Sequence, residues 1–295
     1  MRADAWLLEL DEKRDERRGE TRDEGRGPTR GEPRGATPGL ADADTPPLGT
    51  TVLAPTEPDT SVFDRTELDP IEVDPSVLDA RERERAAAFL RPADRTLYTV
   101  AHVALRTVLG RLLGERPEDL RFTREPCPCC GEPHGRPALA VSVPEPPLHF
   151  SLSHTRGRVL IATAPVPVGA DVELRPEPEA VKDLVSVLHP SERAEIEAGI
   201  EAATGAGAGS FVADREAQVR RAAAFGRIWA RKEAYLKGLG TGLGRAPHLD
   251  DLSTGAAPPA GWSLYDLPGG PSHHAAIALR APHTTTEPPR LHHLT

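Results

Sequence analysis

The first sixty residues offer little for regular structure to build on: they hold 7 Pro, 7 Gly and 23 charged residues, with almost no apolar periodicity. Such a stretch cannot bury enough apolar surface to offset the entropy of ordering it, so residues 1–60 are expected to be a disordered acidic leader. That leaves a folding unit of about 235 residues, enough for one large or two small domains. Charge is distributed accordingly. The leader carries 9 Lys+Arg against 14 Asp+Glu, residues 61–165 carry 14 against 15, and residues 166–295 carry 13 against 16, giving the net −9 of the chain. More than half of the acidity therefore lies outside the expected fold and says little about a partner.

The same arithmetic excludes several classes. No apolar run approaches the roughly 18 residues of a membrane span, and the amino terminus is acidic where a secretory signal is basic and then apolar, so a cytoplasmic protein without membrane contact is expected. Acidity and only 4% aromatic residues argue against nucleic acid as a partner. Cys127, Cys129 and Cys130 are crowded into four positions, which is no disulfide framework. Of the 36 basic residues only Lys13, Lys182, Lys232 and Lys237 are lysine.

Spacing predicts an amphipathic helix from Pro92 to Gly114, with Leu97, Val100, Ala101, Ala104, Leu105, Val108, Leu109 and Leu112 on its apolar side. A shorter helix is expected within Val73–Leu90. Strands follow over Ala138–Val143, His149–Ser153 and Arg158–Ala164, the last two joined by a turn at His154-Thr155-Arg156-Gly157. A further strand is expected over Val166–Leu174 and helices over Val181–Leu188, Pro190–Ile200 and Arg215–Leu239, with a Gly/Ala linker at residues 202–209. Strands over Trp262–Leu267 and Ala275–Leu279 and a polar tail from residue 283 complete the reading. In each half a helix ends in glycine and two strands come later, so an α+β fold is expected, built from two pseudo-duplicated halves (61–165 and 166–282), each a helix on a small antiparallel sheet with a cleft between them. A cleft made within one chain implies a monomer.

Two segments carry chemistry. Along Val168-Gly169-Ala170-Asp171-Val172-Glu173-Leu174 the even positions are apolar, so Asp171 and Glu173 project side by side from the other face. Adjacent carboxylates repel unless a proton or cation lies between them, and an oxygen-only pair suits Mg²⁺; a solvated acidic face is the plainer reading. The second segment is Trp229-Ala230-Arg231-Lys232-Glu233-Ala234-Tyr235-Leu236-Lys237. Two of four lysines fall within six positions in a chain that otherwise uses arginine, which suggests a need for compact ammonium groups, as at phosphoryl oxygens. A surface Glu233–Lys237 pair explains those two residues but not Lys232.

Together the two segments resemble the hallmark motifs of the Sfp-type 4′-phosphopantetheinyl transferases. Further stretches similar to that family appear in order: Asp94-Arg95, Ala101-His102, Leu105-Arg106, Gly135-Arg136-Pro137, Phe150-Ser151-Leu152-Ser153-His154 and His189-Pro190-Ser191-Glu192, so that the resemblance covers about residues 75–280. It implies transfer of the phosphopantetheine arm of coenzyme A to a serine of an apo acyl, peptidyl or aryl carrier protein, with release of adenosine 3′,5′-bisphosphate. It further implies Mg²⁺ on Asp171, Glu173 and Glu233, Glu192 as the base for the serine, Lys237 on the departing phosphate, and Lys232 orienting Glu192 or the phosphates. Ser153 and His154 would contact coenzyme A phosphates, and Arg95 and Arg136 the nucleotide's 3′-phosphate side. The family's first strand is expected near the domain start, where Thr51–Val62 is a degenerate match.

Plainer roles stand beside these. His154 could close its turn, Arg95 could be a solvated first-turn residue, and Glu192 could be a first-turn acid favouring the helix dipole. The cluster Cys127-Pro128-Cys129-Cys130-Gly131-Glu132-Pro133-His134 holds ligand types that suit Zn²⁺, although a second CxxC is missing. Two other functions remain: a non-catalytic coenzyme A or nucleotide-binding protein of the same fold, and a zinc-dependent interaction module around Cys127–His134.

Overall fold

A computed structural model of the chain describes residues 2–10, 66–67, 72–140, 148–204, 211–281 and 286–294. Four layers stack as helix, sheet, sheet, helix. The first sheet has the order β2-β10-β1-β6-β5, made of β1 (Asp4–Glu9), β2 (Thr66–Glu67), β5 (His149–Thr155), β6 (Arg158–Ala164) and β10 (Arg290–Leu294). The second has the order β7-β9-β8, made of β7 (Val168–Leu174), β8 (Ser263–Leu267) and β9 (His273–Leu279), and is wholly antiparallel. A separate pair joins β3 (Phe122–Arg124) to β4 (Pro137–Leu139).

Strand alternation sets the layers. On one face of the first sheet Trp6, Leu8, Val159, Ile161 and Phe150 pack against α2 (Pro92–Leu113) through Ala101, Ala104, Leu105 and Val108. The opposite face presents Ala5, Leu7, Leu160, Ala162 and Leu291 to Val168, Ala170, Val172, Ala275, Ile277 and Leu279 of the second sheet. The far side of that sheet carries Leu264, Ala276 and Ala278 against Ala230, Ala234, Tyr235 and Leu236 of α5 (Phe211–Leu239). Behind α5, Val181 of α3 (Pro178–Leu184) and Ile196 of α4 (Pro190–Thr204) close a fourth apolar cluster with Phe225 and Ile228.

A buried polar network fixes the amino-terminal helices. Asp79 and Glu82 form a capping box on α1 (Ala80–Ala87), and Glu82 also accepts from His102 Nδ1 at 3.1 Å and Arg106 Nε at 2.7 Å. Arg106 has no exposed surface, and its other nitrogens reach Asp79 and the carbonyls of Pro117 and Leu120. Each nitrogen of the buried guanidinium thus finds an acceptor, the condition for burying a charge without a large penalty.

The structure corrects the expectation of a disordered segment from residue 1. Residues 4–9 are β1, paired antiparallel to β6 and parallel to β10, with Trp6 stacked on His292 at 5.1 Å and Asp4 Oδ1 2.8 Å from His292 Nε2. Averaging over sixty residues dilutes the six-residue run Asp4-Ala5-Trp6-Leu7-Leu8-Glu9 with its charged surroundings. The tail is corrected likewise: residues 290–294 are β10, whose parallel pairing to β1 is a long-range contact that no local pattern displays. The strand sought near Thr51–Val62 falls outside the described residues, as do the rest of 11–60, residues 141–143 of one expected strand, and most of the Gly/Ala linker. No helix among the described residues is long and apolar enough to cross a membrane.

Deleting residues 2–10 is expected to abolish folding. Trp6, Leu7 and Leu8 alone bury three large side chains, about 1.5–3 kcal/mol each, which is comparable with the stability of a typical domain once the lost strand pairing is added. Circular dichroism of the truncated protein checks this, and an unchanged melting temperature is the outcome expected of a disordered leader.

Candidate active site

The two motif segments meet because β7 and α5 approach unusually closely. A Cβ built on Gly169 would lie 1.9 Å from the Ala234 carbonyl oxygen and 2.3 Å from the Gly238 nitrogen, so only glycine fits here. The β7 face carrying Gly169, Asp171 and Glu173 is therefore pressed onto the helix turn that carries Glu233 and Lys237. A third element joins them where β5 runs beside β7: Ser151 Oγ accepts from the Ala170 amide at 2.9 Å, and Ser153 Oγ donates to Asp171 Oδ1 at 2.9 Å.

Asp171 is the centre of this seam and is only 1% exposed. Lys237 Nζ donates to the same Oδ1 at 2.5 Å and to Ser153 Oγ at 3.0 Å, while Asp171 Oδ2 is buried with no hydrogen-bond partner. An orphaned carboxylate oxygen in an interior position is costly unless something absent from the protein satisfies it. Burial, followed by the charge of Asp171, pushes the Glu173 carboxyl up to about 7. The same two causes raise Glu233, against the opposing effect of Lys237.

These three carboxylates, one with a bare buried oxygen and two that resist ionising together, are what a hard divalent cation relieves, so the donor set fits Mg²⁺. Their oxygens do not all lie within 4.8 Å of one another; among the described residues the cluster that meets this spacing is Cys127, Cys130 and His134. A cation would have to draw the carboxylates together.

The lysines have separate surroundings. Lys237 is partly exposed beside Asp171, whereas Lys232 is 1% exposed and makes a 2.5 Å ion pair with the fully buried Glu192, also donating to the Asp250 carbonyl at 2.7 Å. Burial lowers the Lys232 pKa, opposed by Glu192. Glu192 lies in the first turn of α4, where Oε2 accepts from the His189 amide at 2.9 Å, and Oε1 accepts from the Leu252 amide at 2.8 Å. Both oxygens are engaged and the side chain has no exposure, the surroundings of a structural ion pair. Glu192 is a first-turn acid that also ties Lys232 and the 250–252 segment to α4.

The remaining expected residues divide. His154 borders the site: its ring stands edge-on to Tyr98 at 6.3 Å, and burial, then the nearby His102 and Lys237, lowers its pKa to about 4, so it is neutral at physiological pH. Arg136 reaches the end of the lysine helix, with Nη1 donating to the Gly238 carbonyl at 3.2 Å and the guanidinium paired to Glu125. Arg95 is exposed and donates to the Phe89 carbonyl at 3.0 Å, and none of its hydrogen bonds leads to the carboxylates. Sequence reasoning missed four contributors. Ser151 anchors β7, the Asp250 carbonyl and Leu252 amide complete the Lys232–Glu192 pair, and Tyr98 stacks on His102 at 4.1 Å beside His154. Only Ser151, two positions before Ser153 and so on the same strand face, had a local signal.

Residues 167–281 match the family model of the 4′-phosphopantetheinyl transferase superfamily. The 4′-phosphopantetheinyl transferase HetI of Nostoc sp. strain PCC 7120 is 30% identical over 213 residues, covering 67% of this chain and 76% of that protein. The chain belongs to this superfamily. The matched span begins one residue before β7 and ends two after β9, so it contains the carboxylates, both lysines and the close β7–α5 contact. Ser153 and His154, on β5, lie outside it. In this superfamily member the site is thus completed from a strand that precedes the matched span.

Because the folded pKa of Glu173 lies above the ordinary carboxyl value near 4.5, the folded state holds a proton that the unfolded state has released between those values. The stability it contributes is complete below about 4.5 and is lost as pH rises through about 7. In a chelator, the melting temperature is expected to fall between pH 5.5 and 8, and saturating Mg²⁺ is expected to remove most of that fall. A melting temperature that rises over this range would contradict the assigned environment of Glu173.

Proposed function

We propose that the chain transfers the 4′-phosphopantetheine arm of coenzyme A to a serine hydroxyl of an apo acyl, peptidyl or aryl carrier protein of fatty-acid, polyketide or nonribosomal peptide assembly, releasing adenosine 3′,5′-bisphosphate. The observation that carries this reading is the Asp171 carboxylate, buried between a lysine, a serine and a second strand carboxylate, with one oxygen bare. Asp171, Glu173 and Glu233 would hold Mg²⁺, which when bound neutralises diphosphate charge and polarises the phosphorus under attack.

The protein's own groups supply the rest. The serine oxygen forms a bond to the β-phosphorus and its proton passes to solvent, while the bond from that phosphorus to the bridging oxygen breaks and that oxygen leaves with the nucleotide phosphate. Lys237, held by Asp171 and Ser153, is positioned to donate to the charge growing on that departing phosphate. Neutral His154 and the Ser153 hydroxyl can offer hydrogen bonds to coenzyme A phosphates without adding charge, and Arg136 would meet the nucleotide side beside the end of α5. Lys232 and Glu192 act as positioning residues: their pair fixes α4 and the 250–252 segment against α5, and so the helix face that carries Glu233. The two helix-on-sheet halves, α2 on the first sheet and α5 on the second, are read as a duplicated unit, and a monomer is sufficient because every site residue comes from one chain.

Incubation of the full chain with coenzyme A, Mg²⁺ and an apo carrier protein is expected to add one phosphopantetheine mass to the carrier, as read by intact mass spectrometry. Asp171→Ala and Glu233→Ala are expected to lower the rate at least about 10²-fold, the usual scale for removing electrostatic stabilisation. An unmodified panel of acyl and peptidyl carriers would refute the enzymatic reading and favour a binding protein of the same fold.

Glu192→Gln separates positioning from proton transfer. Leaving Lys232 buried without its partner is expected to cost about 3–5 kcal/mol of stability. Assayed well below the lowered melting temperature, kcat is expected to stay within about tenfold of wild type; a general base would lose about 10²–10⁴-fold. The larger loss, in a variant that remains folded, assigns Glu192 to proton transfer instead.

A further inference from the structure

The loop between β3 and β4 has no apolar core of its own. Pro126 to His134 contains no large hydrophobic side chain, and of those nine residues only Cys127 is buried. The flanking pair is three residues long on each side and hydrogen-bonds to neither larger sheet; Phe122 and Leu139 pack its base on the first sheet's core but reach none of the loop itself. Yet the loop is tightly folded. The Gly131 amide donates to the Cys127 carbonyl at 2.8 Å, the Cys127 amide to the Glu132 carbonyl at 2.7 Å, and the Gly135 amide to the Glu125 carbonyl at 2.8 Å. Gly131 has a φ of 78°, which reverses the chain so that the residues after Cys130 return toward Cys127.

This turn aims three ligand atoms at one point. One each from Cys127, Cys130 and His134 lie within 4.8 Å of one another, and Cys130 Sγ is 3.0 Å from His134 Nε2. In a tetrahedral zinc site with bonds of about 2.3 Å to sulfur and 2.0–2.1 Å to nitrogen, ligand atoms stand roughly 3.5–3.8 Å apart, so only a small opening is needed. All three cysteines are free thiols, and Cys129 is not among the converging ligands. Two sulfurs and an imidazole select a borderline-soft cation and disfavour Mg²⁺.

We propose that Cys127, Cys130 and His134 bind one Zn²⁺, with solvent at the fourth vertex, and that this ion is the missing core of the β3–β4 loop. Binding releases the two thiol protons as both sulfurs coordinate. Its consequence reaches the proposed active site through Arg136, two residues past His134 and hydrogen-bonded to the Gly238 carbonyl. The ion would fix the arm of the loop that presents this arginine at the end of α5.

The full chain, purified without chelator and passed through gel filtration, is expected to carry one equivalent of zinc by elemental analysis. Cys130→Ser and His134→Ala are expected to retain less than about one tenth of it, and Cys129→Ser to retain all of it. Should either ligand variant fail to fold, cobalt loading of the unaltered chain decides: thiolate-to-cobalt charge transfer with intense four-coordinate ligand-field bands supports the site. Absence of those bands, absence of zinc, a Cys127–Cys130 disulfide, or loss of zinc in Cys129→Ser each overturns the assignment. Metal occupancy is read without turnover, so its failure leaves the transferase reading standing, and the reverse also holds.

Discussion

The contact on which the site depends is the one at Gly169. With no side chain there, the β7 backbone comes within reach of the α5 backbone, and the strand's acidic face is set against the helix turn bearing Glu233 and Lys237. A methyl group at this point would force the two elements apart by an ångström or more, and every separation in the carboxylate–lysine cluster would change with them. Close packing between secondary elements is rigid on this scale, so the cluster inherits its precision from backbone geometry.

Around that contact the protein sorts its charges by depth. Arg106 and Lys232 are buried against carboxylate and carbonyl acceptors, and each ties separate chain segments together: Arg106 joins α1 and α2 to the turn that follows, and Lys232 joins α4 and the 250–252 segment to α5. Lys237 instead keeps a partly open side chain beside an acid with a bare oxygen. The two lysines of one helix thus differ less in chemistry than in whether their partner has a valence left over. The scarcity of lysine elsewhere makes both easy to notice but does not tell them apart.

Sequence alone displays α2, α5 and the β5–β6 hairpin because each is written in a contiguous period, and it displays the faces of β7 because apolar and acidic residues alternate there. It also brings Asp171, Glu173, Glu233 and Lys237 together through resemblance. It hides β1 and β10, since six and five residues among charged or polar neighbours hold no period long enough to stand out, and their partners lie across the chain. It leaves two readings of Glu192 open, because an acid three residues after His189 reads the same whether its oxygens face solvent or the amides of His189 and Leu252. Burial, the property that separates those cases, is made by tertiary structure.

The pairing of β1 with β6 and β10 also sets a schedule for synthesis. The apolar strand Ala5-Trp6-Leu7-Leu8 is made well before either neighbour: its antiparallel partner follows about 150 residues later, roughly 7–30 s at ordinary elongation rates, and its parallel partner later still. For that interval a sticky strand is exposed on the nascent chain, followed by a long, acidic, proline-rich stretch. Charge and proline beside such a strand discourage it from pairing with other chains while it waits, which gives the acidity of that stretch a use before the fold exists.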